Sequence, residues 1–94
     1  MVNELITEKA KLQNHMQNKK AEIITLKHLI SIQETSLLLN TDFKELGLTN
    51  EKQRTAYIND KLRAKKEELD WLKYDLQIFE NDVEIINDLL KEGE

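Results

Sequence analysis

The sequence predicts an all-α fold: an antiparallel helical hairpin of two long coiled-coil helices, assembling with further helices into a multi-helix bundle. Three observations carry this. Apolar residues recur at alternating spacings of three and four over most of the chain. The 94 residues contain no Pro and only two Gly, so almost nothing interrupts a helix. The turn-forming residues gather in one short stretch near the middle.

The first seam runs Val2, Leu5, Lys9, Leu12, Met16, Lys19, Ile23, Leu26, Ile30, Gln33 and Leu37. The second runs Ile58, Leu62, Lys65, Leu69, Leu72, Leu76, Phe79, Val83, Ile86 and Leu90. Together 17 of these 21 positions are apolar, where a 39% hydrophobic composition gives about eight by chance. Helix 1 is expected over residues 2–38 and helix 2 over 51–91, each roughly 55–60 Å long at the α-helical rise. Lys9, Lys19, Lys65 and Gln33 occupy seam positions. They either fix register or run their stems along the seam and carry their polar ends to its edge, the plainer expectation for such side chains.

Residues 39–50 supply the reversal. Asp42 followed by Glu45 matches a capping box and predicts a single helical turn over 42–46. Gly47 can then take the left-handed conformation that closes it. Thr49 or Asn50 caps helix 2, with Glu51 favourable in its first turn, and Gly93 falls just past its end. Folding outward from the connection is expected to set Lys9 and Lys11 near Glu80, Asp82 and Glu84. It is expected to set Lys19 and Lys20 near Glu67, Glu68 and Asp70.

A second apolar line accompanies the seam on helix 2. Tyr57, Ala64, Trp71, Ile78 and Ile85 recur every seven residues about 100° from it, with Tyr74 and Leu89 alongside. Helix 1 adds Ile6, Ala10, Ile24, Leu29, Ile32, Leu38 and Leu39. A two-helix hairpin buries one seam, so faces this wide call for another helix that the chain does not contain. The expected solution is a homo-oligomer, most simply a two-fold dimer forming a four-helix bundle. The expected interface residues, toward a second copy or a partner helix, are Tyr57, Trp71, Tyr74, Ile78, Ile85 and Leu89.

The same composition excludes most chemistry. The absence of Cys removes disulfides, thiolate metal sites and cysteine nucleophiles. Two glycines cannot build a phosphate-binding loop. His15 and His28 lie 13 residues apart, off the seam, and neither follows a Glu at the spacing a di-metal bundle uses. Both are expected to be exposed and inert. Ser31 and Ser36 have no cleft in which to meet a base. No enzyme activity, cofactor or metal is therefore expected. The longest apolar run, Leu37-Leu38-Leu39, is far too short to span a bilayer, and residues 1–10 carry Glu4 and Glu8 in place of a signal-peptide core. A cytoplasmic location and no membrane partner are expected.

Charge is unevenly spread. Residues 52–66 hold Lys52, Arg54, Lys61, Arg63, Lys65 and Lys66 against Asp60 alone, while residues 67–94 hold ten acidic residues against Lys73 and Lys91. The turn end of helix 2 is basic and its open end acidic. A net charge of −4 argues against bulk affinity for nucleic acid, and protein binding is the favoured role. The alternative is an accessory nucleic-acid-binding protein whose six basic residues at the turn end touch a phosphate backbone.

The segment Gly47-Leu48-Thr49-Asn50-Glu51-Lys52-Gln53-Arg54-Thr55-Ala56-Tyr57, followed by Leu69-Asp70-Trp71-Leu72-Lys73-Tyr74, resembles a pattern in small phage- and prophage-encoded helical proteins. There a long charged helix, a turn and a second helix with repeated Leu and aromatic residues follow in the same order. The resemblance covers residues 47–76. It implies a phage or prophage protein acting in the host cytoplasm, and it transfers no catalytic residue; the protein partner expected on the favoured reading is replication, recombination or defence machinery.

Overall fold

The structure, a computed structural model, describes residues 1–93. It consists of α1 (Val2–Asn40) and α2 (Glu51–Glu92), joined by a ten-residue connection and folded back antiparallel. The described residues contain no strand. The rod measures 68 × 18 × 14 Å.

The heptad seams are where the two helices meet. Every residue of α1 that is at least half-buried is a seam position: Leu5, Lys9, Leu12, Met16, Lys19, Ile23, Leu26, Ile30 and Leu37. On α2 all ten seam positions from Ile58 to Leu90 are buried or half-buried. Only Val2 and Gln33 fall outside, both exposed. The best-packed part lies toward the turn. There Leu26, Ile30, Ile58 and Leu62 form one cluster, with Leu37, Phe43, Tyr57, Leu69 and Leu72 packed against it. The open end holds a single buried side chain, Ile86. Both lysines of the α1 seam, Lys9 and Lys19, sit in that half, which replaces apolar packing there with aliphatic stem and charge.

The connection spans residues 41–50, two residues shorter than expected, because α1 runs on through Leu39 and Asn40. The Glu45 N–H donates to Asp42 Oδ1 (3.1 Å) and the Leu46 N–H to the Asp42 carbonyl (3.3 Å), forming the single turn. Gly47 then takes φ +74°; its N–H reaches the Lys44 carbonyl (3.1 Å) and the Leu48 N–H the Phe43 carbonyl (2.8 Å). This is a Schellman closure, with half-buried Phe43 and Leu48 at the positions that ordinarily make its apolar contact. The cap of α2 is Asn50, whose Oδ1 accepts from the Gln53 N–H (2.8 Å), while Gln53 Oε1 accepts from the Thr49 N–H (3.0 Å). Lys91 in the last turn of α2 and Glu51 in the first both complement the helix dipole.

A Cβ at Gly47 would meet nothing within 4 Å, so a substitution there is penalised by the backbone alone. Gly47→Ala is expected to cost about 1 kcal/mol. Gly93 has an ordinary φ of −76°, and Gly93→Ala is expected to be near neutral. Thermal melts of the two variants check this; equal melting temperatures would contradict the left-handed turn.

The register between the helices differs from the expected one. Lys19 Nζ lies 3.7 Å from Asp75 Oδ2, five residues or more beyond Glu67, Glu68 and Asp70, and 3.6 Å from Glu22 on its own helix. Farther out, the His15 ring stacks on Phe79 at 5.6 Å. Lys19 and Asp75 stand equally far from Gly47 in the chain, as do His15 and Phe79. The chain therefore reverses at Gly47, not at the midpoint of the connection. The helical turn at 42–46 uses up chain on the α1 side and shifts the pairing by several residues. By the same count Lys11 stands opposite Val83, between Asp82 and Glu84 as expected, although no ion pair joins Lys9 or Lys11 to Glu80, Asp82 or Glu84 among the described residues.

Candidate interaction surface

A rod of two helices leaves much of its surface wet. The chain exposes 7323 Å², whereas a compact monomer of 11.1 kDa exposes about 5,700 Å². Its radius of gyration is 20.5 Å against roughly 12 Å for a compact domain of this length. Among the described residues only six side chains are buried: Ile23, Leu26, Ile30, Ile58, Leu62 and Ile86. The surplus area is apolar in a patterned way, and that pattern is the main candidate site.

On α2, Trp71, Tyr74, Ile78, Ile85 and Leu89 are all exposed. Trp71 presents 64% of its surface, although indole is among the most apolar groups a chain can bury. Its ring meets Tyr74 edge-on at 5.9 Å, so the two aromatics form one raised apolar feature at the middle of α2. The heptad spacing places Ile78 and Ile85 on the line of Trp71, one and two repeats toward the open end. Tyr57, the first residue of that line, is placed differently. It is half-buried, with its ring edge-on to Phe43 at 6.2 Å, and so belongs to the packing of the turn. The partner that draws it inward comes from the connection, outside either heptad repeat.

The exposed apolar residues of α1 are Val2, Ile6, Ile24, Leu29, Ile32, Leu38 and Leu39. Unlike those of α2 they follow no single heptad line. Leu46 is exposed as well and adds to Leu38 and Leu39 at the turn end of the rod. The sequence already carried a signal for this end, because only Leu37 of the three-leucine run falls on the seam.

The basic residues at 52–66 are largely engaged within the hairpin. Arg54 clasps the connection: Nε donates to the Leu48 carbonyl (3.4 Å), Nη2 to the Thr49 carbonyl (3.1 Å), and the guanidinium lies 6.0 Å from the centre of the Phe43 ring. Lys61 lies over Tyr57 at 5.4 Å. Arg63 pairs with Asp60 (2.6 Å) and Lys66 donates to Asn59 (2.9 Å). Lys65 is half-buried at its seam position, and Lys52 is exposed. Most of these contacts are at the surface and individually weak, yet they direct four of the six cations toward different neighbours.

His15 is exposed, as expected, and its stacking on Phe79 gives it a packing role across the two helices. Among the described residues no group of three or more His, Asp or Glu is placed to hold a metal, and no helix is long and apolar enough to cross a membrane. Fold and surface together define a class: an all-α antiparallel helical hairpin with a long exposed apolar face. No family model matches the sequence, and no curated protein or solved structure is significantly similar to it.

Proposed function

We propose that the protein is an oligomeric coiled-coil scaffold. In this reading the hairpin is completed by a second copy of itself as a four-helix bundle, and the bundle acts by binding another protein. The single observation that carries it is the exposed line through Trp71, Tyr74, Ile78 and Ile85 on α2. Contiguous apolar surface of this kind on a small protein marks an interaction site. The excess exposed area, roughly 1,700 Å² over a compact chain, is ample for the 800 Å² or so that each partner contributes to a standard interface. Phage or prophage origin and action in the host cytoplasm belong to this proposal on the strength of the residue 47–76 resemblance.

Light scattering at low micromolar concentration tests the assembly. The expected mass is at least twice the 11.1 kDa of the chain. A stable, fully helical monomer would contradict the proposal. A role in nucleic-acid binding draws less support: the net charge is negative, and four of the six basic side chains at the turn end already have partners within the hairpin.

A further inference from the structure

Beside the apolar line on α2 runs a line of charges at the same seven-residue spacing: Arg54, Lys61, Glu68, Asp75 and Asp82. Each lies three residues before a member of the apolar line, hence on the adjoining strip of the helix surface. The strip changes sign along its length. It is basic toward the turn, acidic from the middle onward, and it borders the surface that a second copy would cover.

We infer that the second copy lies antiparallel, with the two α2 helices packed together near Trp71 and the turn of each hairpin beside the open end of the other. This rests on the self-assembly proposed above and specifies its geometry. A two-fold interface sets residue i against residue j and j against i. If the two-fold axis ran along the rod, the helices would be parallel, with the basic segment 52–66 of one copy beside that of the other and the acidic segment 67–94 likewise. Like charges facing each other beside an apolar contact oppose assembly. If the axis crosses the rod, the basic end of one strip faces the acidic end of the other. Full overlap of the two α2 helices (Glu51–Glu92) places the axis near Trp71, close to their middle. Lys61 of one copy then comes beside Asp82 of the other. The pair Glu68 and Asp75 falls near the axis, where Asp75 is already 3.7 Å from Lys19 of its own chain. The antiparallel arrangement also spreads the strongly acidic segment 67–94 to opposite ends of the rod. Such a bundle has two identical ends, each combining one turn with one open end. A partner recognised at one end is recognised at both, which makes the assembly a two-headed bridge.

The chain has no Cys, so single spin labels can be placed without other changes. Label pairs at Asp88→Cys are expected roughly 50 Å apart along an antiparallel dimer. Side-by-side parallel packing brings them within about 30 Å, an interaxial distance plus two label linkers. Labels at Glu67→Cys, near the proposed axis, are expected to be close in either orientation and so report that a dimer has formed through this face. A short distance at residue 67 with a long one at residue 88 supports the inference. Short distances at both overturn it while leaving self-assembly intact. A long distance at residue 67 in a dimer of normal mass overturns the use of this face. A monomeric mass with no intermolecular distance overturns self-assembly and the orientation together. Charge exchange gives an independent reading. Lys61→Glu is expected to weaken the dimer several-fold, and adding Asp82→Lys in the same chain is expected to restore it. Failure of that rescue in a folded protein contradicts the antiparallel pairing.

Discussion

Leu62→Ala is expected to destabilise the protein by about 3 kcal/mol, the largest effect of any single truncation in the seam. Leu62 is only 1% exposed, the most completely buried side chain in the chain. It sits in the cluster with Leu26, Ile30 and Ile58, the one place where side chains of both helices close over each other fully. Removing three carbon atoms there loses their transfer free energy and leaves a cavity that two stiff helices cannot collapse around. For a chain of this size the melting temperature is expected to fall by roughly 10–20 °C. Leu39→Ala is the matched control, because Leu39 is 78% exposed and its truncation is expected to change stability by less than about 0.5 kcal/mol. Melts followed by circular dichroism at one fixed protein concentration check both, since assembly couples stability to concentration. Equal melting temperatures for the two variants would contradict the placement of the core.

Trp71→Ala is expected to act on assembly and leave the hairpin largely intact. The indole makes no contribution to the seam, so the helicity of the variant should match the parent. Its loss from the centre of an intermolecular contact is expected to cost about 2–4 kcal/mol, or roughly 30- to 1,000-fold in the dimer dissociation constant. Sedimentation over a dilution series separates this from the Leu62 effect. Loss of helicity in proportion to loss of assembly would show instead that hairpin and bundle fold as one unit.

These two residues illustrate how much of the molecule is legible in its sequence. Leu62 and Trp71 are both apolar residues of α2, and the heptad count alone separates them: one falls on the seam and is buried, the other falls on the second line and is exposed. The period of the apolar residues therefore carries the fold and the division between filled and open faces. Gly47 and Asn50 carry the turn and the cap in the same direct way, since each needs a particular backbone or side-chain geometry. The register between the helices is not legible, because a seven-residue repeat fits equally well after a shift by one turn or more. Lys19 meets Asp75 because the turn at 42–46 reverses the chain at Gly47. The burial of Tyr57 was equally hidden. It depends on Phe43, a residue of the connection that no periodicity includes. Arg54 reads from the sequence as one of a set of cations, and its role in holding the connection emerges only when Leu48, Thr49 and Phe43 are seen around it.

Trp71 is the only tryptophan in the chain, so its fluorescence reports directly on the surface proposed to assemble. The decisive measurement is its emission maximum across a dilution series, with helicity followed in parallel. Closure of the apolar face by a second copy predicts blue-shifted emission at high concentration that moves to the red on dilution, at the concentration where the mass halves. Red emission at every concentration from a fully helical protein would mean that the Trp71 face stays in water, and would contradict the account.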